Sequence, residues 1–450
     1  MIRTRFAPSP TGWLHIGGVR TALFSWLFAK SQAGEFLIRI DDTDTSRSTK
    51  EFCDSIISSL NMLNINSDKD LIYQSKRFET YIDKIEILLQ KNLAYYDKVE
   101  INEKTKDTNL DIQYKNRLNK DNHVIRFKNP KNKPVEIEDL VHGKVVFEPK
   151  TFHDVVILRS NGIPTYNLTT VVDDIDLDIT HIIRGDDHLS NTAIQINIFK
   201  SLDAHIPLFG HLPMIHGVDG KRLSKRHGAV NINTFFEEGY LPESLINYLA
   251  KTGWSHGDEE FFSIEQLVKL FSIDKVTKSS AIFDYDKLNW VNQHYIKKKN
   301  IQDVANMIIP YLESLDIKIE DRKYLEDILS LGIDRDYNLK NIAAGITHYF
   351  KDELDYNLND FINIDIEKSK NILKNVIEKL EKNTFKDKEE ISYCIKEVCA
   401  DMDLKFKDIG PVVRFALTAK LNAPSIDELC FMLKKDKTLN RLNSFYNYLN

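Results

Sequence analysis

The first forty residues leave few folds open. "IRTRFA" (Ile2–Ala7) reads as a short strand and "PSPTGWLHIGG" (Pro8–Gly18) as a turn crowded with proline and glycine. "VRTALFSWLFAKSQAG" follows as a helix ended by Gly34, and "EFLIRI" (Glu35–Ile40) as a second strand. A strand, turn, helix and strand in that order form a β-α-β unit with parallel strands and a crossover helix. Such a unit needs a larger parallel sheet to cover it, so the amino-terminal part of the chain is expected to be α/β.

The later part differs. Of 17 glycines, only Gly332, Gly345 and Gly410 follow Gly257, and only Pro310, Pro411 and Pro424 follow Pro242. With turn residues thinned out, this part is expected to be mostly helical. The spacing agrees: Ile372, Val376 and Leu380 repeat at four, and Ile426, Leu429, Cys430 and Leu433 follow i, i+3, i+4, i+7. Between the two parts, "HVIRFK", "KVVFEP", "DVVILRS", "THIIRG" and "FGHLPMI" read as strands and "NTAIQINIFKSL" as a helix. At 450 residues the chain is long enough for several domains.

Composition excludes more than it selects. A net charge of −6 leaves any nucleic-acid partner to local basic patches. The stretch from Ile101 to Lys133, with nine Lys/Arg against four Asp/Glu, reads either as a solvated insertion or as such a patch. The four cysteines lack Cys-x-x-Cys spacing, which argues against a disulfide framework or a zinc cage. "MIRTRF" is too polar for a signal peptide, and no apolar run approaches the roughly 18 residues of a membrane helix. A cytoplasmic protein without a membrane partner is expected.

Chemistry concentrates in two places. Gly17 and Gly18 at a helix start let backbone N–H groups approach an anion, and His15 stands just ahead of them. Neither G-x-x-x-x-G-K-[ST] nor G-x-G-x-x-G occurs in this turn, so it is not a Walker loop or a dinucleotide fingerprint. Alone, it reads equally as a structural turn. Some 200 residues on, "DGKRLSKRHGA" (Asp219–Ala229) sets Lys221, Arg222, Lys225 and Arg226 around Ser224 between glycines. A charge run is commonly a solvated face, but this pattern also suits a polyphosphate, whose transfer needs charge neutralisation and positioning.

"LHIGG" and "RLSKR" resemble the HIGH and KMSKS motifs of class I aminoacyl-tRNA synthetases. Together with "TRFAPSPTG", "RIDDTD", "PTYNLTTVVDD", "THIIRGDDHLSNT" and "GWSHGD", they are similar to the bacterial glutamyl-tRNA synthetases. The resemblance runs to about Tyr295 and more loosely to the end. It implies a Rossmann-like parallel-sheet catalytic domain (1–76 and 166–228) split by an α/β acceptor-end insertion (77–165). A stem-contact domain (229–300) and an all-α anticodon-binding region (301–450) would follow.

The implied reaction has two steps. The glutamate α-carboxylate attacks the α-phosphate of ATP, and a terminal ribose hydroxyl of tRNA-Glu then attacks the adenylate. By the resemblance, His15, Ser224 and Lys225 are catalytic. ATP is held by Pro8, Ser9, Thr11, Gly12, His15, Gly17, Gly18, Arg222, Leu223, Ser224, Lys225 and Arg226. L-glutamate is held by Arg5 at its side-chain carboxylate with Tyr166 beside it, by Arg184 at its α-carboxylate, and by Ala7, Ser9 and Asp41 at its ammonium. The residue-level alternative for Arg5 is an ion pair with one of the DDTD acids. Mg²⁺ is expected to arrive on the nucleotide, and the enzyme is expected to be a monomer. Whether tRNA-Gln is charged too stays open.

Two departures stand out. Asp41 occupies a position where the family usually has Glu, one methylene longer. The region after "NLAYY", where some relatives bind zinc, has no cysteine between Leu93 and Lys133, so no structural zinc is expected. Three rival readings remain. A glutaminyl-tRNA synthetase would carry β-barrel anticodon domains. A truncated paralogue that glutamylates a tRNA base would be shorter. A non-catalytic RNA-binding homologue would not need His15, Ser224 and Lys225.

Overall fold

A computed structural model describes residues 1–44, 46–99, 114–221, 223, 231–361 and 365–450. They form two compact units: Met1–Glu237 with Leu241–Val291, and Glu238–Tyr240 with Asn292–Asn450.

The first unit opens with β1 (Arg3–Phe6), α1 (Ile16–Ser31) and β2 (Glu35–Ile40). β1 pairs in parallel with β2, Arg3 opposite Glu35 through Phe6 opposite Ile38. On α1, Val19, Leu23, Phe24 and Leu27 are fully buried, so the helix is covered by the sheet and by further chain. Gly34 does not end α1 by adopting a left-handed turn. That conformation falls to Ala33 (φ 50°), and Gly34 N closes the motif on Ala29 O at 2.8 Å. Gly34 serves a close approach: a Cβ there would lie 2.4 Å from Ile2 O, where β1 begins.

After β2 come α2 (Lys50–Met62) and β3 (Ile72–Tyr73), which extends the sheet in parallel beside β2. The chain then leaves the sheet through α3 (Phe78–Gln90). β4 (Ala94–Lys98), β5 (His123–Phe127) and, later, β8 (Val155–Leu158) make an antiparallel sheet. β6 (Val135–Asp139) and β7 (Gly143–Phe147) make a hairpin between them. α4 (Tyr166–Asp176) leads back to β9 (His181–Gly185), α5 (Leu189–Ser201) and β10 (Leu208–Leu212). β9 and β10 are parallel, and Thr180 N donates to Arg3 O at 3.0 Å beside β1. The excursion shares one apolar core with this sheet: Tyr81, Ile85 and Phe127 pack with Leu168, Val172 and Ile182.

β11 (Ile215–His216) pairs with β12 (Ala281–Ile282). Between them lie α6 (Ile232–Glu237), α7 (Pro242–Lys251) and α8 (Ile264–Leu270). The chain enters the second unit within α9 (Tyr285–Lys298).

Among the described residues the second unit contains no strand. α10 (Ile301–Glu313), α11 (Arg322–Gly332), α12 (Leu339–Phe350), α13 (Ile366–Lys382), α14 (Lys388–Asp401), α15 (Phe406–Thr418) and α16 (Ile426–Tyr448) build it. The periodic positions read from the sequence, Ile372, Val376 and Leu380 on α13 and Leu429, Cys430 and Leu433 on α16, are all buried. Arg441 donates to Leu417 O (2.6 Å), His348 O (2.5 Å) and Lys351 O (2.6 Å). A buried cation thus binds the carbonyl-rich ends of α12 and α15, where the helix dipoles favour it.

Candidate active site

β1, β2 and β3 form one parallel sheet and β9 and β10 another, and the bond from Thr180 N to Arg3 O sets β9 beside β1, so the direction of build reverses between β1 and β9. A crevice at the carboxyl ends of strands is expected at such a switch point. A cavity of about 560 Å³ opens there, walled by residues just beyond β1, β2 and β9 and by the amino end of α1. That size suits a small-molecule site.

All the expected glutamate-holding residues (Arg5, Ala7, Ser9, Asp41, Tyr166 and Arg184) line it, with Pro8, Gly12, His15, Gly17, Gly18 and Leu223. Thr11 is not among the lining residues; its N–H donates to Ser9 O within the turn. Arg222, Ser224, Lys225 and Arg226 lie outside the described residues, but both flanks of their loop are placed. On one side Leu223 N donates to Ile215 O (3.2 Å). On the other, Asn231 forms a backbone bridge with His15, and Ile232 N donates to Leu14 O (3.0 Å). Leu223 and Asn231, which bracket the undescribed residues, thus both lie against segments that line the cavity.

His15 is the N-cap of α1, its Nδ1 accepting from Gly18 N at 3.1 Å. In the neutral ring this bond leaves the proton on Nε2, a donor. A Cβ on Gly17 would sit 3.1 Å from His15 Nδ1, so glycine there keeps the ring in its capping position.

Beneath the cavity floor lies a buried ionic network. Arg5 Nε and Nη2 donate to the two oxygens of Asp174 (3.0 and 3.2 Å). Arg39 Nε and Nη2 donate to Asp41 (2.7 and 3.2 Å), and its Nη1 donates to Asp174 (2.7 Å). The acid partner of Arg5 is thus Asp174 of "TTVVDD" and not an acid of "DDTD". Asp173 next door accepts from Gln74 (2.7 Å), Arg77 (2.7 Å) and Tyr81 (2.9 Å). Burial pushes the Asp41 carboxyl up to about 6, with Arg39 limiting the rise. Burial also acts on Asp174, but the charges of Arg5 and Arg39 outweigh it and hold that carboxyl below its usual range.

Arg184 differs. It is 5 % exposed, and among the described residues no carboxylate pairs with it. Its Nε donates to His211 Nε2 (3.2 Å), Nη2 to Thr192 Oγ1 (2.8 Å) and Nη1 to the Tyr166 hydroxyl (3.4 Å). Burial lowers its pKa, outweighing the opposing pull of Tyr166 and Asp174. The Tyr166 hydroxyl sits between Arg184 Nη1 (3.4 Å) and His188 Nδ1 (3.1 Å). A guanidinium at a cavity wall with no carboxylate partner among the described residues has the geometry to take a carboxylate.

Several lining residues were not singled out from the sequence. Arg20 spans from α1 to Thr252 O (3.1 Å) and Pro213 O, tying the helix to the segment before β11. Trp13 packs edge-on against Phe52 at the cavity rim. Arg39 and His188 lay inside motifs already noted, "RIDDTD" and "RGDDHLSNT", which was the available signal.

Residues 1–290 match the family described as tRNA synthetases class I (E and Q), catalytic domain, and residues 303–446 match an anticodon binding domain. A glutamate–tRNA ligase of Francisella philomiragia is 38% identical over 461 residues, covering 98% of each chain. Glutamate–tRNA ligase 1 of Coxiella burnetii is 41% identical over 464 residues, covering 98% of this chain and 97% of its own. A crystal structure of a glutamate tRNA ligase from Elizabethkingia meningosepticum, in complex with its amino acid, superposes with a TM-score of 0.84 at 27% identity. The match covers all of both chains.

Proposed function

The chain belongs to the class I tRNA synthetases for glutamate and glutamine, and we propose a division of labour among its residues. The enzyme attaches L-glutamate to the 3′ end of tRNA at the expense of ATP. The observation that carries the residue assignments is the single cavity. It brings an unpaired Arg184, the His15 turn and the base of the Lys225 loop together.

In this reading Arg184 takes the α-carboxylate, oriented so that one oxygen faces the α-phosphate. A carboxylate is already a nucleophile, so positioning replaces activation. Arg5 meets the side-chain carboxylate with the guanidinium edge that Asp174 leaves uncovered; Ala7, Ser9 and Asp41 meet the ammonium. Because Arg39 holds both oxygens of Asp41, a water completes the ammonium contact that a longer Glu would make directly. Pro8, Gly12, Gly17 and Gly18 let the nucleotide approach the backbone, and His15 Nε2–H donates to the phosphate as charge develops. Lys225, with Arg222, Ser224 and Arg226, neutralises the departing pyrophosphate. Mg²⁺ is bound through the nucleotide's own oxygens, which suits an ion that keeps several waters.

For the partner, 1–76 with 166–228 serves catalysis and 77–165 meets the acceptor end. Residues 229–300 meet the stem and 301–450 the anticodon. The absence of strands among the described residues of the second unit supports the glutamate over the glutamine branch. A monomer acting in the cytoplasm is the simplest form consistent with this division. Charging of purified tRNA-Glu and tRNA-Gln transcripts with labelled glutamate tests the reading. Glutamate on tRNA-Glu is expected, and product on tRNA-Gln would mark a non-discriminating enzyme. Preference for glutamine over glutamate would overturn it.

A further inference from the structure

Behind Arg184 stands a buried chain of polar groups that never reaches the cavity. Asp139, at the end of β6 in the hairpin, is 4 % exposed. Its Oδ1 accepts from three backbone amides: Val141 (3.0 Å), His142 (2.9 Å) and His211 (3.2 Å). Its Oδ2 faces His211 Nδ1 at 2.6 Å, and the His211 ring is fully buried on β10. On the far side of the ring, His211 Nε2 lies 3.0 Å from Thr192 Oγ1 and 3.2 Å from Arg184 Nε. Thr192 in turn accepts from Arg184 Nη2.

We propose that Asp139 and His211 are positioning residues for the amino-acid site. They select the imidazole tautomer that accepts from Arg184 and so aim its guanidinium into the cavity. The inference rests on the reading that Arg184 receives the substrate α-carboxylate. An ionised Asp139 only accepts, so His211 must place its proton on Nδ1. Nε2 is then a bare lone pair, able to take the Arg184 Nε–H and the Thr192 hydroxyl. Burial keeps the ring neutral against the pull of Asp139. With Nε committed to His211 and Nη2 to Thr192 and His188 O (3.5 Å), Nη1 is left to Tyr166 and the cavity. The arrangement also links the β6–β7 hairpin to the amino-acid site through a single side chain.

Asp139→Asn tests this without changing shape. Three amide N–H groups hold the side-chain oxygen at the Oδ1 position, which puts the new –NH₂ against His211 Nδ1. The proton moves to Nε2, where it opposes the Arg184 Nε–H. Thr192→Val removes the hydroxyl bridge at nearly constant volume and serves should Asp139→Asn fail to fold. In ATP–pyrophosphate exchange with tRNA present, each folded variant should raise the KM for L-glutamate roughly tenfold or more. The KM for ATP should stay within about twofold, since neither group nears the His15 turn. Arg184→Ala is the control for the underlying reading. If it raises the glutamate KM while Asp139→Asn and Thr192→Val, folded by thermal melting, leave it within about twofold, the positioning role is overturned. An unchanged glutamate KM in Arg184→Ala would instead overturn the α-carboxylate assignment, and the positioning role with it.

Discussion

His15 and Asn231 are joined by an antiparallel backbone bridge, although most of the first unit's sequence separates them. His15 caps the helix that opens the cavity; Asn231 is the first described residue after the cationic loop. The helix cap and the residue that follows the cationic loop are thus held at adjoining backbone positions.

The observed cap and the proposed phosphate contact of His15 can be separated by substitution. His15→Ala loses both the helix cap and the phosphate donor, whereas His15→Asn keeps an N-cap. The Ala variant should lose about 1 kcal/mol of stability in denaturant unfolding and the Asn variant much less. Both should slow pyrophosphate exchange by roughly 10²-fold or more. An Asn variant with near-native exchange would assign His15 to capping alone.

Asp41 gives a pH signature with opposite signs in two readouts. Its folded carboxyl lies near 6, above the ordinary 3.8. Between those values the folded state holds a proton that the unfolded state lacks, so this group's contribution to stability falls as pH rises from about 4 to about 6 and is level above. The ionised form is the one that would meet the ammonium in the proposed site, so kcat/KM for glutamate should rise over the same window. It should be about tenfold lower at pH 5 than at pH 7. Asp41→Asn should flatten both trends. Arg39, Arg5 and Asp173 face the same carboxyl, so variants there would move the inflection.

The β-α-β start and the helical end were legible because both rest on local signals. Gly and Pro punctuate one; a four-residue apolar repeat marks the other. β4 and β6 were not read from the sequence. "AYYDK" and "VEIED" carry charges at the exposed positions of half-buried strands, which mask a short apolar alternation. The residues that line the cavity were legible through motifs, but their partners were not. Arg5 pairs with Asp174 and His211 with Asp139, and such distant pairings leave no periodic trace in one sequence. The difference mattered for Arg5, whose ion-pair alternative was sought among the nearby DDTD acids.

The lysines at 297–299 end α9 and begin the next turn, and Lys297 forms an exposed pair with Asp334 (3.1 Å). An exposed pair is worth little and yields readily to phosphate. Neutralising Lys297, Lys298 and Lys299 together should raise the KM for tRNA and reduce the salt slope of tRNA binding by roughly one per lost phosphate contact. ATP affinity should be retained. An unchanged salt slope would move the stem contact elsewhere.

The account depends on one triphosphate being enclosed by the amino-terminal turn and the cationic loop. A crystal structure with L-glutamate and a non-hydrolysable ATP analogue tests this most directly. The account predicts the α-phosphate within hydrogen-bonding reach of His15 Nε2, the terminal phosphates on Lys225, and the glutamate α-carboxylate on Arg184. A nucleotide bound away from the cavity, or a Lys225 loop turned from it while the His15 turn is occupied, would contradict it.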